Sequence, residues 1–358
     1  MRHLLGAAVL AAAAGALASD PSHGAGQIPA CADSGLPADS IQRKVASLRQ
    51  LVTGLGPATG QLEASLQAGT RRLEQAEQAL AAGRLYLALE MLEDASTQLE
   101  PAVLVSPKLE ALRQGGRPAL DETLSPLKEE MSRLAGSLER ASSPGLPAAV
   151  RAMRDAARTQ AVVYGKTMDA WREIDEALGA VYYMGNALAL ARAASFYEAL
   201  EIPGLGVPTR PGPIAPLLDR IEAALIAAYV PPVSVEKHAD FIRASAAVKA
   251  GRELAAAGLE EGALLQYLRA RIYGWPMLRA QDRPLPGIEA LRASAADLPA
   301  RIGAIRQDGS IGCLLWERAL GLMDRAGQGE DPQIVMQAAE AIVEDVLPEY
   351  LRLAGETR

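Results

Sequence analysis

"AEQALAAGRLYLALEMLEDA", residues 76–95, decides how the chain is read. Its apolar spacing is helical on both sides of Gly83, yet glycine costs about 1 kcal/mol against alanine inside a helix. A continuous helix is therefore a poor use of that residue, and a turn is a good one. If one helix ends at Ala82 with Gly83 in the left-handed cap position, the next starts near Leu85 and folds back. Ala88 and Ala95 then lie on the returning helix, small enough for two backbones to approach closely.

A second stretch, "AGRELAAAGLEEGALLQYLRAR" (residues 250–271), repeats the arrangement. Gly258 matches Gly83, Ala263 matches Ala88, Tyr267 matches Leu92 and Ala270 matches Ala95; Gly251 precedes Gly258. A proline follows each stretch, Pro101 and Pro276, and is expected to break the helix. A degenerate third echo lies in "MGNALALARAASFYEALE", residues 184–201. This spacing resembles the tetratricopeptide repeat over residues 69–101 and 244–276, with Ala79 and Leu254 where that family carries an aromatic. The resemblance implies a helical array whose concave face binds a peptide or protein, with Glu77 and Arg252 as polar groove residues. Any alanine-rich hairpin selects the same glycine turns, so a plain helical bundle stays open beside it.

Composition points the same way. The apolar share is 49% but aromatics are only 4%, so the interior must be Ala, Leu, Val and Ile, which favours helices. Sustained two-residue alternation is missing, so strands are not expected. The expected fold is all-α: antiparallel helical hairpins forming a bundle or short tetratricopeptide-like superhelix. At 358 residues the chain exceeds what one core usually organises, which predicts two lobes. The breaker "EIPGLGVPTRPGPIAP", residues 201–216, places a linker at 203–216 between lobes 40–202 and 217–358.

Within the first lobe, Leu120, Leu124, Leu127, Met131, Leu134 and Leu138 form a bundle seam, with Ser125 and Pro126 as a cap and first-turn proline that divide it. Residues 148–201 contain no proline, and glycines at 165, 179 and 185 are the visible interruptions. Ala177 to Ala191 is uncharged and reads as a core helix, too short to span a bilayer. In the second lobe, Leu217, Leu218, Ile221 and Leu225 mark an amphipathic helix, and Ser310 is placed to cap the helix carrying Cys313 and Trp316.

The first residues, "MRHLLGAAVLAAAAGALAS", set a basic start before an apolar run ending in small residues. This reads as a signal peptide, residues 1–18, cut after Ala18, followed by a flexible leader, 19–39. The mature chain is thus expected to be periplasmic or secreted, with no membrane span. Cys31 in "IPAC" follows a small residue, but a polar segment separates it from the apolar run, against acylation. In an oxidising compartment a disulfide between Cys31 and Cys313 would tie the leader to a C-terminal helix; two unbonded thiols are the other reading.

A formal charge of −7 repels phosphate backbones, so nucleic acid is not expected as a partner. His238 in "VEKHAD" has Glu236 and Asp240 two residues either side, poor spacing for a catalytic histidine. Two distant cysteines and so few histidines cannot build an ordinary zinc site, and Glu-x-x-His pairs, CxxCH, GxxxxGK[ST] and GxGxxG motifs are missing. Neither metal nor cofactor is expected.

The most suggestive local composition is "YLRARIYGWPMLRAQDR", which interleaves Tyr267, Tyr273 and Trp275 with Arg269, Arg271, Arg279 and Arg283. Arginine with aromatics is what interface hot spots favour, although a helix end packing its aromatics inward with arginines snorkelling outward has the same composition. Together these observations predict an exported, non-catalytic scaffold or adaptor that binds a protein or peptide in the cell envelope. The alternative is a helical enzyme or binding protein acting on an envelope polymer such as peptidoglycan, or on a small ligand, with Glu317 as a general-acid candidate.

Overall fold

Gly83 and Gly258 both take the left-handed backbone, with φ of 71° and 72°. Gly83 N–H donates to Leu80 O at 3.0 Å and Arg84 N–H to Ala79 O at 2.8 Å; Gly258 and Leu259 repeat this onto Ala255 (3.0 Å) and Leu254 (2.9 Å). These are the paired bonds of a Schellman cap, and glycine stands there because a Cβ at positive φ meets the neighbouring carbonyl. Two hairpins of equal design result.

The computed structural model describes residues 31, 35–53, 61–138, 142–174, 176–202, 205, 212–231, 235–280, 283–305, 308–328 and 332–356. The expected signal peptide, and most of the leader and linker, lie outside them. The helices are α1 (Ala38–Thr53), α2 (Gln61–Ala81), α3 (Leu85–Val105), α4 (Leu109–Leu138), α5 (Ala148–Glu173), α6 (Ala177–Glu198), α7 (Ala215–Ala228), α8 (His238–Ala256), α9 (Glu260–Leu278), α10 (Ile288–Ser294), α11 (Leu298–Gly303), α12 (Ser310–Gly327), α13 (Pro332–Glu340) and α14 (Leu347–Glu356). A π-helical turn, Ala341–Val346, joins α13 to α14, where Pro348 removes an N–H from the regular ladder. The fold is all-α, with no strand among the described residues.

The hairpins pair α2 with α3, α5 with α6 and α8 with α9. Several details differ from the sequence reading. Pro101 and Pro276 lie inside α3 and α9 rather than ending them. At Pro101 the reason is packing: a Cβ on Gly185 would stand 2.8 Å from Pro101 Cα, so α6 presses against α3 at that point and holds the helix through the lost hydrogen bond. The kink in α4 falls at Gly116, φ 55°, not at Ser125 and Pro126. There Pro118 disfavours the helical conformation of Arg117, and Gly116 absorbs the bend. α5 is followed by a bond from Glu176 N–H to Trp171 O at 3.0 Å, while Gly165, Gly179 and Gly185 lie within helices.

The core is consistent with the expected composition. Leu120, Leu124 and Leu127 pack with Met168, Val181, Met184 and Leu188 in a small cluster, and α6 is buried from Ala180 to Ala194 on most positions. The larger cluster runs from Cys31 to Tyr350 and takes residues from both sides of the expected linker, including Leu89, Met153, Leu218, Leu265 and Leu314. Arg151 reinforces that continuity by a two-point ion pair with Glu261, at 2.6 and 2.8 Å.

α12 joins the two halves. Neither α3 nor α5 receives a hydrogen bond from its own N-cap side chain. Glu317 of α12 accepts the Leu87 N–H at 2.9 Å, and Ser310 accepts the Ala149 N–H at 2.9 Å, beside a bond from Ala148 N–H to Asp308. Ser310 therefore caps α5 rather than its own helix, because the open N–H groups of α5 lie against it. On the same helix Cys313 is bonded to Cys31 across 282 residues, both sulfurs buried. We expect Cys313→Ser to lower the unfolding free energy by about 2–4 kcal/mol, the range for a disulfide closing a long loop. A denaturation midpoint indifferent both to this substitution and to reductant would show that the two thiols are not joined.

Candidate functional site

A cleft of about 440 Å³ opens among α2, α3, α8, α9, α12 and α13. Each helix contributes one stripe at helical spacing. Arg72, Gln75 and Ala79 come from α2; Leu87, Met91 and Asp94 from α3; Arg318, Leu322 and Arg325 from α12. Asp240 and Arg243 of α8, Tyr273 and Pro276 of α9, and Ile334, Val335 and Ala338 of α13 complete the wall. Gly321 lets α12 lie close to α3, since a Cβ there would stand 2.8 Å from the Leu87 Cδ2 methyl, which would have to move.

Charge on this wall is mixed but not balanced: Arg72, Arg84, Arg243, Arg318 and Arg325 face Asp94, Asp240 and Asp324. Arg84 is matched to Asp324 at 2.7 Å, whereas Arg72 stands 3.6 Å from Asp94. Behind the wall, Glu90 is 4% exposed and its Oε1 accepts from Arg318 Nη1 at 2.7 Å and Arg269 Nη2 at 3.0 Å. Burial works to raise the Glu90 carboxyl, but Arg318 and Arg269 outweigh it and hold it below the ordinary value. Glu93, one turn on, accepts from the Tyr197 hydroxyl at 2.7 Å, and burial pushes it up to about 7 against the pull of Arg269. Burial likewise raises Asp94, with Arg72 opposing.

Of the residues singled out by sequence, Tyr273 lines the cleft. The rest of that patch, apart from the exposed Arg283, is committed to pairs within the fold. Tyr267 is buried and donates to Glu349 at 2.9 Å, with Arg271 over its ring and paired to Asp345. Arg269 pairs with Glu90, and Trp275 Nε1 and Arg279 Nε both donate to the fully buried Glu340, at 3.0 and 2.7 Å. Arg283 reaches Glu344 at 2.7 Å. Glu77 pairs with Arg49, and Arg252 with Asp219 and Glu222, on the outer faces of their helices. His238 bonds Tyr229 through Nδ1 at 2.8 Å. Neither it nor Glu317 lines the cleft. Sequence reasoning missed Arg72, Arg243, Arg318 and Glu90; their spacing is that of any solvated helix face.

Fold and cleft define an all-α protein of helical hairpins around a cationic, partly apolar recess. No known protein family, curated protein or solved structure matches the chain. Among the described residues there is no cluster able to hold a metal ion, and no helix long and apolar enough to cross a membrane.

Proposed function

We propose that the protein is an exported, non-catalytic helical scaffold that holds a peptide or protein segment in the cell envelope. The observation that carries this reading is the cleft, whose apolar floor and ring of arginine and glutamine side chains come from six helices. Such a mixture orients a ligand through a few polar groups while apolar contacts supply affinity. The two catalytic candidates read from the sequence are committed elsewhere, Glu317 to the first turn of α3 and His238 to Tyr229. Export is supported by the Cys31–Cys313 bond, which persists in oxidising compartments and leaves Cys31 no sulfur to acylate.

The test is site-specific photocrosslinking in the source cells, with the probe at Gln75 in the cleft or at Arg133, exposed on α4. The scaffold reading expects a discrete protein or peptide adduct from Gln75 alone. Equal labelling from both positions, or adducts to glycan or a small molecule at Gln75, would replace it with the alternative of a polymer or small-ligand protein.

A further inference from the structure

We infer that the cleft recognises the free C-terminal carboxylate of a peptide ending in an apolar residue, an assignment that rests on the peptide-binding reading above. Three guanidinium groups from three different helices have donors to offer. Arg243 makes no hydrogen bond among the described residues and has Asp240, one turn before it, as its charged neighbour; Arg318 donates through Nη1 to Glu90; and Arg72 donates through Nη1 to Gln75 at 2.8 Å and weakly to the Met91 sulfur, with its Nε 3.6 Å from Asp94. The forked guanidinium matches a planar carboxylate in a two-point contact.

The charge balance favours an anion. The wall carries five arginines against three aspartates, and the carboxylate behind it, Glu90, is already shared by two guanidiniums. The apolar side chains beside that cationic excess suit a carboxylate carried on an apolar residue better than a fully hydrated phosphate dianion. Apolar contacts are provided by Leu87, Met91, Ile272, Leu322 and Val335, with Ile334 standing 63% exposed at this wall. Exposed isoleucine is costly to leave in water and gains from covering an apolar side chain. Gln75, Gln78, Gln328 and Gln337 also line the cleft. Their amides pair with peptide N–H and C=O groups, for which a fatty acid has no use.

The test uses the mature full-length protein and a pooled library of N-acetyl hexapeptides ending in Ala, Val, Leu or Phe, prepared both as free acids and as carboxamides. Retained peptides are titrated by fluorescence anisotropy, with octanoate and inorganic phosphate as competitors. The expected result is at least about tenfold tighter binding of the acid than of the amide, a difference that Arg243→Ala narrows by weakening the acid more than the amide. Equal affinity for acid and amide, both weakened by Gln75→Ala, would overturn the carboxylate assignment and keep the peptide reading. Octanoate binding as tightly as the best peptide, or retention of no peptide of either kind, would overturn both; phosphate competing more strongly than octanoate would overturn the choice of anion.

Discussion

Replacing Glu90 with glutamine is expected to cost about 3–5 kcal/mol of stability, the range measured when one partner of a buried ion pair is removed. Its single well-placed oxygen serves both Arg269 and Arg318, from α9 and α12, and the residue is 4% exposed. Glutamine keeps the shape but removes the charge both guanidiniums bond, leaving them only the more distant Glu93 and Asp94. The triple change Glu90→Leu, Arg269→Met and Arg318→Met removes the cations along with the anion and is expected to recover most of the loss, because desolvation of the charges disappears with them. Urea unfolding monitored by circular dichroism measures both. The contrast is Arg252→Ala: that side chain pairs with Asp219 and Glu222 at the surface, and its loss is expected to change stability by less than about 1 kcal/mol. If Glu90→Gln costs no more than Arg252→Ala, the network is hydrated and contributes no more than a surface pair.

The hairpins were legible in the sequence because their signal is local. A glycine flanked by two helical phases asks for a left-handed cap within six residues, and Gly83 and Gly258 both supply it. The uncharged run in α6 was legible for the same reason. What depends on which helix lies alongside was not. Ser310 has the form of a cap for its own helix, and only the approach of α5 turns its oxygen to Ala149. Pro101 continues a helix because α6 presses on it at Gly185. The arginines of α9 look outward by composition, yet Glu90 lies 179 residues before Arg269 and Glu340 lies 61 residues beyond Arg279, distances over which helical periodicity carries no information. The cleft is the extreme case. Its wall is assembled from short stripes on six helices, none of which differs in spacing from an ordinary exposed face.

Stability should fall as pH rises from about 5 to about 8.5, and Glu317→Gln should remove most of the fall. Burial pushes the Glu317 carboxyl from 4.5 up to about 8, with the N–H groups of Leu87 and Tyr86 and the charge of Arg84 only partly offsetting it. Between those two values the folded chain keeps a proton that the unfolded chain has released, so the folded state binds more protons and raising the pH favours unfolding. The contribution is complete below the unfolded value and is lost as pH rises through the folded one. At about 1.4 kcal/mol per pH unit, Glu317 alone withdraws as much as roughly 5 kcal/mol over that window. Glu93, raised by burial to about 7, acts in the same direction. Glu90 and Glu349 act oppositely: burial works to raise Glu90 but its two arginines hold it down, and the hydrogen bond from Arg352 holds Glu349 down. Each stabilises above the ordinary carboxylate range and loses that contribution in acid. The two groups of carboxylates therefore place the stability maximum near pH 5, and urea midpoints taken at intervals from pH 4 to 9 locate it. Glutamine at 317 still offers Leu87 an acceptor but no charge, so the variant should match the wild type near pH 5 and exceed it at pH 8.5. Parallel curves for the two proteins would mean that Glu317 stays ionised on the N-terminus of α3, its charge held there by the helix amides rather than suppressed by burial.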